Sequence, residues 1–144
     1  TGYYLNIIIP VYVESINNKT FISFLNEIFN FYKINSKFIY FKIIGDLKPS
    51  KNLDELKKSD INMGVTSLDL LFLHNLNTLY LDYNKYNLDT LKKFKSILNG
   101  KNLILSNVKS QADLVRASEI TNLVSGETIS KAMSINNLIN QLKK

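Results

Sequence analysis

Two ionisable side chains stand in apolar surroundings, Lys42 within the run FIYFKII and Asp82 at the end of TLYLD. An unpartnered ammonium is costly to bury. Lys42 is therefore expected either to point to the open mouth of the fold and pair with Asp46 or Asp82, or to bind an anion such as phosphate. A carboxylate at a strand end can act as a ligand or cap the turn that follows, which leaves both roles open for Asp82. His74, the single histidine, lies beside Asn75 far in sequence from any carboxylate pair. General acid–base work needs a partner to orient the ring, so His74 is expected at the surface or at a helix end. With no cysteine, disulfides and thiolate metal sites are excluded. No Walker motif, dinucleotide-binding glycine fingerprint or Ser-His-Asp spacing is present.

The net charge of +6 comes almost wholly from lysine, Arg116 being the one arginine. Nucleic-acid surfaces favour arginine forks and basic residues gathered on one face. Here the lysines are spread, and Lys57-Lys58 and Lys92-Lys93-Lys95 fall on polar helix faces, so no nucleic-acid role is expected. The longest apolar run, Tyr3 to Val13, is interrupted by Asn6 and Pro10 and falls short of the roughly 18 residues of a membrane span. Neither a span nor a signal peptide is read in this chain, and a cytoplasmic location is expected. The opening Thr1-Gly2 is read as that of a fragment, with room for an anchor upstream.

Alternation of elements positions these side chains. Tyr3 to Val13 is apolar and β-branched, and Phe21, Phe24, Leu25, Ile28, Phe29 and Tyr32 then recur at helical spacing. Apolar runs follow at Phe38 to Ile44, Ile61 to Val65, Thr78 to Leu81, Leu103 to Leu105 and Asn122 to Val124. They alternate with helical patterns around Leu53 to Lys58, Leu68 to Asn75, Leu88 to Leu98, Gln111 to Glu119 and Ile135 to Leu142. Ser110 and Ser134 are positioned as N-caps, and Asn99-Gly100 supplies the left-handed conformation that closes a helix. Near-continuous apolar strands separated by helices mean a parallel sheet. The expectation is one α/β domain over residues 1–144, with about six β/α units. Periodicity leaves open whether it is a doubly wound sheet or part of a barrel.

The stretch from Asn102 to Met133, NLILSNVKSQADLVRASEITNLVSGETISKAM, runs strand, capped helix, short strand, Gly turn. In that order it resembles the end of an EAL domain, the family of cyclic-di-GMP phosphodiesterases, and the likeness extends back to about Leu5. The resemblance implies the later two-thirds of a (β/α)8 barrel, or a shortened one. It also implies a two-metal phosphodiesterase site at the carboxyl ends of the strands. Matched by position, the family's asparagine in V-N-L-S-P falls on Ile7, a metal-binding glutamate on Lys42, and the lysine of K-I-D on Tyr80, while Asp82 persists. The glutamates of E-G-V-E fall on Ser106 and Lys109. The glutamine of Q-G falls on Ser125 with Gly126 kept, and Ala132 stands where a proline packs near the guanine base. The loop that carries paired aspartates is shortened to Gly64-Val65-Thr66-Ser67.

These replacements imply a degenerate domain without catalytic residues, metal or cofactor. The expected role is protein interaction within a bacterial signalling or localisation protein, with a metal-free cyclic-di-GMP receptor as the alternative. Six strands fall short of eight, so an unclosed edge is expected to meet a protein partner or a second copy. Tyr3, Tyr4, Ile8 and Val11 of the first strand are the expected contacts.

Overall fold

The computed structural model describes residues 6–121, 123 and 124 of the 144. They fall into two compact units that meet in sequence at Gly64 and Val65. In the first, β1 (Ile7–Tyr12) leads through the short α1 (Val13–Ile16) into α2 (Phe21–Phe31), β2 (Ile39–Ile44), α3 (Lys51–Lys57) and β3 (Asn62–Val65), whose last residue already counts to the second. β2 lies parallel to β1 from Ile7↔Ile39 to Tyr12↔Ile44, and to β3 from Tyr40↔Asn62 to Lys42↔Gly64. Side chains alternate across a strand. One face thus collects Ile9, Val11, Ile39, Phe41, Ile43 and Met63, all at most 4% exposed. Phe21 of α2 meets Phe41 with ring centroids 6.4 Å apart, which identifies this as the helix-covered face.

In the second unit α4 (Leu68–Leu73), β4 (Thr78–Asp82), α5 (Leu88–Leu98), β5 (Asn102–Ser106), α6 (Gln111–Ser118) and β6 (Leu123–Val124) continue the alternation. β5 is parallel to β4 from Thr78↔Asn102 to Asp82↔Ser106, and β6 follows β5. Leu79 and Leu103 are fully buried on one face, Tyr80 and Ile104 at 2% exposure on the other. Burial on both faces explains why these strands read as unbroken apolar runs. Parallel strands taken in chain order with helices between them are the pattern of consecutive β/α units, a partial or shortened barrel-type α/β fold.

Local chemistry sets the boundaries. Ser50, Ser67, Asn87 and Ser110 each accept a backbone N–H from three residues on, at 3.1, 3.4, 2.8 and 3.1 Å. Each satisfies one donor that a helix start leaves without an internal partner. α2 and α4 both end in a six-residue return, Ile34 N–H to the Phe29 carbonyl and Leu76 N–H to the Leu71 carbonyl, each at 2.9 Å. The intervening residues Lys33 and Asn75 take φ of 54° and 51°, the left-handed step such a helix end requires. Asn99, at φ 49°, closes α5 as its sequence predicts.

Two expectations change. Among the described residues the first strand runs Ile7–Tyr12 and Val13 already belongs to α1, while Tyr3 to Leu5 of the expected strand lie outside the described residues. In α2, Phe21, Leu25 and Ile28 are buried but Phe24 is 43% and Phe31 77% exposed, because an apolar stripe so wide exceeds the one face a sheet can cover. The expected helix around Ile135 to Leu142 and the Ser134 cap lie outside the described residues.

Candidate functional site

In parallel α/β folds ligands gather at the carboxyl ends of strands. In the second unit that end is built around Asp82. Its Oδ1 accepts the backbone N–H of Asn84 at 2.8 Å, which caps the 3-10 turn Tyr83–Lys85. Its Oδ2 accepts Asn107 Nδ2, also at 2.8 Å, from the loop after β5. Asn84 Nδ2 donates in turn to the Asn107 carbonyl at 2.8 Å, and Ser106 Oγ to the Leu81 carbonyl at 3.2 Å. Burial raises the pKa of the Asp82 carboxyl, but the two hydrogen bonds and the charges of Lys85 and Lys109 outweigh it and hold the group below the ordinary carboxylate range. Behind this ring, Tyr83 OH donates to Asp113 Oδ1 at 3.4 Å, and Arg116 Nη1 reaches the same oxygen at 3.4 Å. Between β3 and α4 there are only Thr66 and Ser67, and Ser67 is spent on capping. The loop is short and carries no carboxylate.

In the first unit Lys42 is half-buried. It lies opposite Pro10 on β1 and Gly64 on β3, on the face away from the helices. Tyr40 shares this face, and burial pushes its phenol above the usual value. Asp46, one of the two partners expected for Lys42, makes an exposed 3.8 Å ion pair with Lys48. Ile7, where the resemblance places an asparagine, is a half-buried strand residue opposite Ile39. Ile8 is half-buried and Val11 3% exposed, so the β1 side chain most open to solvent is Tyr12, at 58%.

Of the sequence-derived site residues, Asp82 and Ser106 come together in register on neighbouring strands, with Lys109 close enough to bear on Asp82 and Tyr80 two residues earlier on the same face. Ser125, Gly126, Tyr3 and Tyr4 lie outside the described residues. His74 does end a helix, as expected, but it is 5% exposed rather than at the surface. Flanking Leu71 and Leu76, both at most 2% exposed, draw that helix end inward. Sequence reasoning missed Asn84 and Asn107, the partners that decide what Asp82 does. An asparagine just past the run NLILS is the weak signal the sequence offers, and in the structure Asn107 takes φ 60°, the left-handed region that asparagine tolerates. Also missed was a groove of about 660 Å³ along α2, lined among the described residues by Phe24, Glu27, Ile28, Asn30, Phe31 and Tyr32.

Among the described residues no group of three or more His, Cys, Asp or Glu side chains could hold a metal ion. Nor is any helix there long and apolar enough to cross a membrane.

No family model and no curated protein matches this sequence. Solved structures do match in fold. An EAL domain protein from Listeria monocytogenes EGD-e superposes with a TM-score of 0.66 at 13% identity, over 94% of this chain and 64% of its own. The EAL enzyme Bd1971 in its cAMP-bound form gives 0.64 at 10% identity, over 94% of this chain and 43% of its own. The EAL domain of Xanthomonas citri FimX in complex with c-diGMP gives 0.62 at 13% identity, over 93% and 62%. This chain thus has the fold of part of an EAL domain and spans less than two thirds of each of these three structures.

Proposed function

We propose that this chain is a degenerate EAL-like domain that hydrolyses no phosphodiester and works through protein contacts, as one module of a bacterial signalling or localisation protein in the cytoplasm. The observation that carries this reading is the state of Asp82. It is the carboxylate kept at a strand end where a two-metal site would need several, and both its oxygens already accept hydrogen bonds from the chain itself. Divalent metals of the magnesium type require a shell of oxygen ligands. Lys42 brings a cation to such a strand position, and Ser106 is engaged with a backbone carbonyl. This donor set does not fit a pair of divalent metals.

Contact surfaces support the interaction role. Among the described residues β1 pairs with β2 alone, and an unpaired strand edge is a template for a further strand. Phe24 and Phe31 expose large apolar surface beside the α2 groove, more than a solitary surface aromatic would. The proposed partner is another protein or a second copy of this chain.

One observation favours a second reading, a metal-free cyclic-di-GMP receptor. In that reading Lys42, half-buried with Pro10 and Gly64 in register on either side, would meet a phosphate. Phosphodiesterase assay with magnesium or manganese tests the loss of catalysis, and titration of cyclic di-GMP separates receptor from scaffold. Light scattering at micromolar concentration tests the interaction role. A dimer is expected, or a monomer stabilised by its native partner; a stable monomer indifferent to truncation of β1 would refute it.

A further inference from the structure

We propose that Asp82, Asn84 and Asn107 form a latch that locks the loop after β4 to the loop after β5, so that the two move as one body. Three hydrogen bonds of 2.8 Å close the ring: Asn84 N–H and Asn107 Nδ2 each donate to one Asp82 oxygen, and Asn84 Nδ2 donates to the Asn107 carbonyl. Two of the three end on an ionised acceptor, which makes them stronger than neutral bonds. Losing the Asp82 carboxylate frees a donor on each loop, Asn84 N–H and Asn107 Nδ2. The register Asp82↔Ser106 brings the strand ends side by side, and Ser106 Oγ adds a cross-strand bond to Leu81. Asn107 holds its place in the left-handed region, which asparagine tolerates better than most residues. The charged groups around the ring are Lys85 on the turn after β4 and Lys109 before α6, both attracting the carboxylate. On α6, Asp113 and Arg116 are already joined to each other, with Tyr83 on the same Asp113 oxygen.

Two consequences follow. A cation approaching Asp82 must displace two donors and pass two ammonium groups. The loops also present Lys85, Tyr86 and Lys109, all exposed, on a surface ordered in advance of any partner.

Reversing the polarity of the Asp82–Asn107 bond tests the latch. Asp82→Asn replaces the charged acceptor of two bonds with a neutral amide, and Asn107→Asp sets carboxylate against carboxylate. The double variant Asp82→Asn/Asn107→Asp restores one donor and one acceptor. The readout is amide hydrogen exchange at Asn84, with the Leu105 amide of β5 as internal reference. Each single variant should accelerate Asn84 by about fivefold or more, and the double variant should return it to within about twofold of the parent, a non-additivity expected only of a direct pair. Unchanged Asn84 exchange in the single variants, or additive acceleration in the double, overturns the latch. So does equal acceleration of Leu105, which reports global rather than local loosening.

Discussion

Lys42 lies in register with Gly64 on the neighbouring strand, on the sheet face turned away from the helices. Pro10 lies opposite on its other side. On the proposed reading, a cation at this strand position opposes metal binding by direct repulsion. With magnesium or manganese, cyclic di-GMP should remain intact by chromatography over the protein-free control. Turnover abolished by a chelator would contradict this.

Asp82 sets a pH dependence of known sign. Its carboxyl is held below the ordinary range in the folded chain. The stability it contributes is therefore fully present above the unfolded carboxylate value of about 3.9 and is lost as pH falls through the lower folded value. Acid titration followed by carbonyl-carbon NMR should show Asp82 titrating below that value, with Asn84 and Asn107 amide signals moving in step. An Asp82 midpoint at or above about 4 would contradict the hydrogen-bonding account.

Much of the fold was legible in the sequence because strands buried on both faces read as unbroken apolar runs, such as TLYLD and NLILS, and because Ser110 and Asn99-Gly100 mark helix ends by local chemistry. α2 was legible as an amphipathic helix, but Phe24 of its expected apolar stripe is 43% exposed, since spacing locates a stripe and not the area available to cover it. The candidate site was legible only in part. Asp82 stands out at the end of an apolar run, whereas its partner Asn107 lies 25 residues on, and only the parallel register of β4 and β5 brings them together. His74 illustrates the same limit, being polar in sequence yet carried inward by Leu71 and Leu76.

Backbone conformation gives opposite expectations at two positions. Lys33 takes a left-handed φ of 54° with an exposed side chain, a conformation glycine adopts without the steric penalty. Lys33→Gly should raise stability by about 0.5–1 kcal/mol. Gly45 has φ 117°, and an added Cβ would lie 3.0 Å from Val13 Cγ2. Gly45→Ala should lower stability by about 1–3 kcal/mol through strain and that contact. Thermal unfolding checks both, and equal effects of the two substitutions would contradict the argument.

Burial separates structural from surface aromatics. Phe41 is fully buried against Phe21, so Phe41→Ala should cost about 3–5 kcal/mol. Phe31, 77% exposed, should change stability by no more than about 0.5 kcal/mol when replaced by alanine. If the α2 groove is a contact surface, Phe31→Ala should still weaken self-association or partner binding by light scattering. Loss of fold stability without any change in association would remove that surface from the account.

On the proposed reading, the strand ends of this EAL-like fold bind no cyclic di-GMP. Calorimetric titration of cyclic di-GMP into the protein, with and without magnesium, tests it most directly. The account predicts no binding heat above dilution in either condition, for the parent and for Lys42→Ala alike; a micromolar dissociation constant weakened by Lys42→Ala would contradict it and establish a receptor instead.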